Sequence, residues 1–349
     1  MAACLRVLYA GPGVTIQDSG RYGYARYGVT PAGPIDWAAF ETANLALGND
    51  LRAAAVEISV GGLEVIAEGA PLWVAFAGGD FSWARDGEPM PKVARLLLEP
   101  GKTLLARAEN SGAFAYLAVD GGLDTPVTMG SRATHTRSGI GGIDGRMLRS
   151  GDVLPAASRG RDRGENFEAV IDAPWLARKS LPFRVVLGPQ DDYFTQEALS
   201  VFFGNEFTLT AMADRMAYRF DGPEIASARG YDIVSDGIAL GAIQIPGDKK
   251  PLVLMADRQP TGGYPKLGSI ARADIGRLAQ MRPGETCRFE MVSAREAREA
   301  LLRLEEEIAE TISCLRPLPE KLASKSLLEA NLIDGVFDPL NGERIESEF

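Results

Sequence analysis

Histidine is nearly absent from this chain, and that absence excludes a good deal of chemistry. One histidine, His135, stands among 349 residues. Neither an HExxH zinc motif nor a multi-histidine metal site can therefore form. A Ser-His-Asp triad would have to run through that one residue; the plainer reading is a loop histidine with a satisfied hydrogen bond. Cysteine is scarce too. Cys4, Cys287 and Cys314 lie far apart without CxxC spacing, which argues against a disulfide framework or a thiolate zinc site and fits a reducing compartment. No apolar run approaches the roughly 18 residues that a membrane-spanning helix needs. The start, Met1 to Val7, lacks the basic and apolar regions of a signal peptide. The expectation is a cytoplasmic protein without a membrane partner. Positive charge is also in deficit: the net charge of −10 disfavours nucleic acid, which needs concentrated cations, although local basic pockets remain open.

What is plentiful is turn punctuation. The chain carries 39 glycines and 21 prolines, and they separate short apolar runs such as Leu72–Ala77, Phe114–Val119, Phe183–Leu187 and Leu252–Ala256. Such spacing predicts a mainly β fold with some α, a barrel or a sandwich. At this length two domains and an appendage are expected. A worn internal repeat supports duplication: Gln17 to Pro34 echoes Asp214 to Pro223, and Glu99-Pro100-Gly101 echoes Arg282-Pro283-Gly284.

Two helices are legible. Asp36 can cap one running through Leu47, with Phe40 and Leu47 on one face, though its carboxylate is also free to face a ligand. Ser293 with Glu296 three residues on forms a capping box. Leu301, Leu304, Ile308 and Ile312 then make an apolar stripe, expected to pack on the C-terminal barrel or on a partner protein. Residues 156–168 are polar and read as a linker, while Ala330 to Val336 is expected to dock as a short helix.

The richest stretch is Asp257 to Lys266, a loop that follows the apolar run Leu252–Ala256 at once. It offers a carboxylate (Asp257), a guanidinium (Arg258), an amide (Gln259), a hydroxyl (Thr261), a phenol (Tyr264) and an ammonium (Lys266), with Gly262 and Gly263 between. A turn that only reverses the chain rarely needs so many functional groups. If the barrel reading holds, Arg215, Arg219, Gln244 and Asp248 converge on it, and their cations suit a carboxylate or carbonyl. A ring of structural Asp–Arg pairs is the other reading, and Tyr264 serves either stacking or packing. In the first half Asp18, Arg21 and Tyr22 form a matching cluster. The glycine-rich run Gly139 to Gly145 fits neither GxGxxG nor a Walker loop.

These motifs also carry a resemblance. Together with Gly11-Pro12-Gly13, Gln17-Asp18-Ser19-Gly20-Arg21, Pro31 to Asp36, Glu57-Ile58, Gly130-Ser131-Arg132, Ser138 to Gly142 and Gly241 to Asp248, the loop resembles the family that contains the C subunit of bacterial 5-oxoprolinase and the carboxyltransferase domain of urea amidolyase. That family is also called allophanate hydrolase subunit 2. The resemblance implies two cyclophilin-like β-barrels plus a C-terminal helix and tail, with an N-terminal barrel over 1–155, a linker over 156–180, a second barrel over 181–292 and a helical extension over 293–349. It implies the C subunit of an ATP-dependent 5-oxoprolinase complex that opens 5-oxoproline to glutamate. Such a chain is active only together with an A subunit and with a B subunit similar to allophanate hydrolase subunit 1. ATP would be bound by the complex. The first alternative is half of a carboxyltransferase acting on urea or a related small amide, with biotin on a separate carrier, since no AMKM biotinyl-lysine sequence occurs here. The second is a non-enzymatic partner of a kinase inhibitor. The expected catalytic residues are Asp257, Arg258, Lys266 and Arg215. Substrate contacts are expected from Gln244, Asp248, Gln259, Thr261, Gly262, Gly263, Tyr264, Arg219, Asp18 and Arg21, and no metal is expected. Departures from the family pattern are Asp236, Leu240, Lys249-Lys250 and Pro260; the last two fall beside the site.

Overall fold

The structure, a computed structural model, describes residues 2–157, 167–177, 181–318, 336–337 and 344–345. Most of the polar stretch 156–168 and the expected helix at 330–336, Val336 excepted, lie outside those residues. The chain divides into a unit Met1–Arg316 and a unit Pro317–Phe349; in the second, Val336–Phe337 pairs antiparallel with Arg344–Ile345.

The first half of the large unit holds two sheets. One runs in the order Val153–Pro155, Cys4–Ala10, Leu63–Glu68, Thr103–Ala108, Phe81–Arg85 and Glu88–Met90. Its pleat is plain at Leu63–Glu68, where Leu63, Val65 and Ala67 turn inward and their neighbours do not. The other begins Thr15–Gln17, Ala55–Ser59, Phe114–Val119, Leu72–Gly78 and Ala94–Leu98. Ala169–Val170, within the expected linker, adds to it by pairing with Ala94 and Arg95. Helix α1, Trp37–Ala46, lies on this sheet: Ala39, Phe40, Ala43 and Leu47 pack on Ala75, Ala77, Tyr116 and Ala118. Covered on both faces, Ala55–Ser59 is buried along its whole length, and Glu57 is buried with it.

The second half is built on one eight-stranded sheet. Its order is Thr286–Cys287, Phe207–Ala213, Ala217–Asp221, Leu252–Leu254, Ala242–Gln244, Lys266–Ile270, Phe183–Leu187 and Phe289–Met291. The first and last strands belong to one continuous segment, so residues 286–291 bond to Phe207 and Thr208 at one end and to Phe183–Val185 at the other. That segment closes the sheet into a barrel. Inside it the rings of Phe202 and Phe289 stack at 4.8 Å, with Phe207 and Phe220 at their edges. Phe202 comes from α2, Gln196–Gly204, whose cap Thr195 accepts from the Ala198 N–H.

Helix starts follow their caps. Asp36 Oδ1 accepts from the Ala39 N–H at 3.2 Å. Helix α3, Arg272–Ala279, begins without a side-chain cap, and the Ser293–Glu296 capping box opens α4, Ala294–Ser313. The stripe Leu301, Leu304, Ile308 and Ile312 packs on Trp37, Ala38 and Trp175. Helices α2 and α3 are additions to the two that the sequence announced. Among the described residues no helix is long and apolar enough to cross a membrane.

Candidate functional site

The two halves meet through a buried polar clasp. Its carboxylate Glu57 is fully buried, and the Oη of Tyr116 on the neighbouring strand donates to it at 2.6 Å. Tyr116 Oη in turn accepts from the Asp36 N–H at 2.9 Å. From the second half, Arg215 reaches across from the turn before Ala217–Asp221. It grips Asp257 with Nε and Nη2 at 2.9 and 2.8 Å, donates to the Gly33 carbonyl at 2.7 Å and pairs with Glu57. Burial pulls the Arg215 pKa down, but Asp257 and Glu57 outweigh it and hold the guanidinium more basic than usual. Burial likewise lifts Asp36 and Tyr116 above their ordinary ranges. Gln280 adds a second bridge: its Nε2 donates to Asp36 Oδ2 at 2.7 Å and its Oε1 accepts from the Ala113 N–H at 2.8 Å. Every polar group here has found its partner, as a buried network requires.

The expected site residues separate in consequence. Arg215 and Asp257 belong to the clasp. Arg219 pairs with Asp248 on the half-exposed surface. Lys266 is buried, and its Nζ is held by Asp236 at 2.8 Å, so the Asp236 departure supplies a partner for an expected catalytic lysine. Lys249 and Lys250 engage Glu224 and Asp221 on the surface. Thr261–Gly262 forms a two-residue ladder with Asp236–Gly237, the Gly263 carbonyl accepts from the Ile233 N–H, and Tyr264 is 40% exposed. Gln244 lies beneath that ladder, wholly buried, with neither amide atom hydrogen-bonded; the Gln259 Oε1 is also unpartnered. Asp18 and Arg21 serve structure. Asp18 accepts from Ser131 Oγ at 2.6 Å and from the Arg132 N–H, while Arg21 donates to the Thr128 and Ala133 carbonyls. His135 shares a 2.8 Å hydrogen bond with Ser138 Oγ.

Arg258 alone of the expected cations faces open space. It lines a cavity of about 390 Å³ together with Arg272, Glu41, Tyr22, Trp37 and Ala32. Its Nε donates to the Ile238 carbonyl at 3.1 Å and its Nη1 to that of Met255 at 3.3 Å. Arg272, the first residue of α3, lies over the Trp37 ring at 5.3 Å, and its carbonyl accepts from Trp37 Nε1 at 2.9 Å. Among the described residues, no carboxylate comes within ion-pair distance of either guanidinium. Partial desolvation lowers both arginine pKa values, against the pull of Tyr22 on both and of Glu41 on Arg272, which is itself exposed. Glu41 shows the mirror effect: burial raises its pKa to about 7, against the pull of Arg272 and with a push from Glu305. At the rim Ala32 holds a left-handed φ of 55°, strain of the kind that collects at functional sites.

Two guanidiniums that line one cavity without a direct ion-pair partner among the described residues, with Glu41 the one carboxylate in the lining, make a site for an anion. In a second cavity of about 350 Å³ between α3 and α4, Arg184 and Arg277 both bind Asp274, and Arg303 shares the lining with Glu290 and Glu307, so carboxylates there match the cations. Sequence reasoning did not single out Arg272 or Glu41. Their signals were modest: Glu41 is the one charge within α1, and Arg272 opens a helix straight after Lys266–Ile270.

Comparison with known proteins agrees with this architecture. Residues 27–291 match the family model described as carboxyltransferase domain, subdomain A and B. The chain is 35% identical over 296 residues to the C subunit of 5-oxoprolinase from Escherichia coli, covering 85% of this chain and 94% of that protein. It is 29% identical to urea amidolyase of Saccharomyces cerevisiae over 84% of this chain, which is only 17% of that longer protein. Among solved structures, Kluyveromyces lactis urea carboxylase superposes with a TM-score of 0.81 at 28% identity, over 91% of this chain and 30% of that one.

Proposed function

The chain belongs to the carboxyltransferase-domain family, and from that membership we propose that it acts as the C subunit of an ATP-dependent 5-oxoprolinase complex. The observation that carries this reading is the pair Arg258, partly buried, and Arg272, exposed, which line one cavity without a direct ion-pair partner among the described residues. 5-Oxoproline is a cyclic amide bearing a carboxylate, whereas urea is neutral. A cavity that sets two guanidiniums against one carboxylate suits an anionic substrate better than a neutral one, and charge-assisted hydrogen bonds contribute about 1.5–3 kcal/mol each.

An unstrained lactam resists hydrolysis, so phosphoryl transfer from ATP would activate the amide oxygen. Arg258 and Arg272 would hold the carboxylate and offset developing charge. Arg215 and Asp257 act from behind, fixing the start of the loop that carries Arg258. The A and B subunits complete the complex, which we place in the cytoplasm.

The test is to purify this chain with the products of neighbouring genes and supply 5-oxoproline and ATP. Release of glutamate and phosphate that requires this chain supports the reading; a well-formed complex that releases neither overturns it. The likeness to urea carboxylase favours carboxyl transfer as the second reading, and biotin-dependent consumption of urea by the same preparation would establish that instead.

A further inference from the structure

Glu41 is the one charged side chain of α1, and it lines the cavity that holds Arg258 and Arg272. No hydrogen bond or ion pair engages its carboxylate among the described residues. The charged and titratable groups around it are Arg272 at the start of α3, Glu305 of α4, and Arg258 and Tyr22 from the loops. A partly buried carboxylate beside a cavity, without a hydrogen-bond donor to hold it ionised, is the kind of group found at working sites.

We propose that Glu41 is the base that takes the amide proton of the substrate bound in this cavity. The inference rests on the 5-oxoprolinase reading. Activating a lactam through its oxygen removes its N–H. That bond breaks, its proton passes to Glu41, and its electron pair forms the C=N bond of an imidate. The former carbonyl oxygen uses its freed pair to bond the terminal phosphorus of a nucleoside triphosphate, and the diphosphate leaves. Without a base the nitrogen stays protonated and the phosphorylated amide reverts. Arg258 and Arg272 hold the substrate carboxylate meanwhile, and Arg272 steadies the charge of Glu41 between turnovers. The elevated pKa of about 7 makes this carboxylate a stronger base than an ordinary one while leaving it substantially ionised near neutrality.

The experiment uses the complete complex with Glu41→Gln and Glu41→Asp, following kcat and KM for 5-oxoproline across pH 5.5 to 9, where those limits are approximate choices around the titration. The expected result is a loss of about 10²- to 10⁴-fold in kcat for the Gln variant, with KM changed less than about threefold and partial recovery in the Asp variant. Wild-type kcat should fall on the acid side with an apparent pKa near 7, and that limb should vanish in Glu41→Gln. A Gln variant that keeps the acid limb, or most of the wild-type kcat, overturns the assignment. If the variant fails to fold, the wild-type profile decides alone, since the absence of an acid limb near that pH also overturns it. A wild-type complex inert toward 5-oxoproline instead sinks the functional reading on which the assignment stands, so the two failures are distinguishable.

Discussion

Two groups of charged side chains share helix α1. Its cap, Asp36, belongs to the clasp, while Glu41 faces the cavity. Both groups contain arginine and carboxylate; the clasp is largely withdrawn from water, whereas in the cavity Arg258 and Glu41 are only partly buried and Arg272 is exposed. They differ in whether the charges meet. In the clasp Arg215 touches Glu57 and Asp257 directly; in the cavity Arg258, Arg272 and Glu41 remain apart. Removing charges from water costs several kcal/mol per ion. The clasp offsets that cost within the chain, and its role is to hold two halves together. The cavity, only partly withdrawn from water, leaves a smaller cost standing, which a bound anion can relieve. Identical residue types thus mark a joint in one place and a site in the other.

The comparison breaks first at the clasp. Arg215→Ala should cost about 3–5 kcal/mol of stability, because it strands two buried carboxylates, and chemical denaturation would read it. A loss below about 1 kcal/mol would mean the ion pair is solvated and the joint held by apolar packing. The cavity should behave in the opposite sense. Arg272→Ala should lower kcat/KM for 5-oxoproline by about 100-fold, equivalent to about 2.7 kcal/mol, while the melting temperature stays level or rises. A large fall in melting temperature would move Arg272 to the structural side.

Stability against pH sharpens the contrast further. The folded carboxyl of Glu41 titrates near 7 against 4.5 for the free group, so between these values the native state holds a proton that the unfolded chain has released. Its contribution therefore weakens stability as pH rises through that window and is constant above it. Glu41→Gln should be relatively more stable than wild type at pH 8 than at pH 5, with the change confined to that window; parallel curves would show Glu41 to be well solvated. The smallest effect is expected at Gln244. Its amide has no partner, so Gln244→Leu should be neutral or stabilising by up to about 1 kcal/mol, and a loss of stability would expose a bond to ordered water.

Much of the fold was legible because its signals are local. Gly and Pro bounded the strands Leu72–Gly78, Phe114–Val119 and Phe183–Leu187, and the caps Asp36 and Ser293 marked α1 and α4. The site was legible only where the loop concentrated function. Arg258 emerged from that concentration; Arg215 and Asp257 were drawn to one place but into a joint, since nothing near Arg215 announces Glu57, 158 positions away. Glu41 and Arg272 come together only when α1 and α3 pack, and no spacing within either helix records that meeting. Asp18 and Arg21 looked like their second-half counterparts, yet their partners are the main chain and a serine of the 128–133 loop, a distinction of environment that composition does not carry.

The segment that closes the second barrel also limits how another chain can attach. With residues 286–291 bonded at both ends, the eight-stranded sheet offers no row of free backbone donors and acceptors among the described residues for an incoming strand. In the first half, the exposed outer strand Glu88–Met90 carries Pro89, which withholds a donor at that edge. A further chain recruited to either place must be recognised through the shape and chemistry of side-chain surfaces. Strand addition, the commonplace route by which β-rich proteins stick to each other indiscriminately, is shut off at these two places, so a mainly β protein can enter an assembly there and still choose its neighbours.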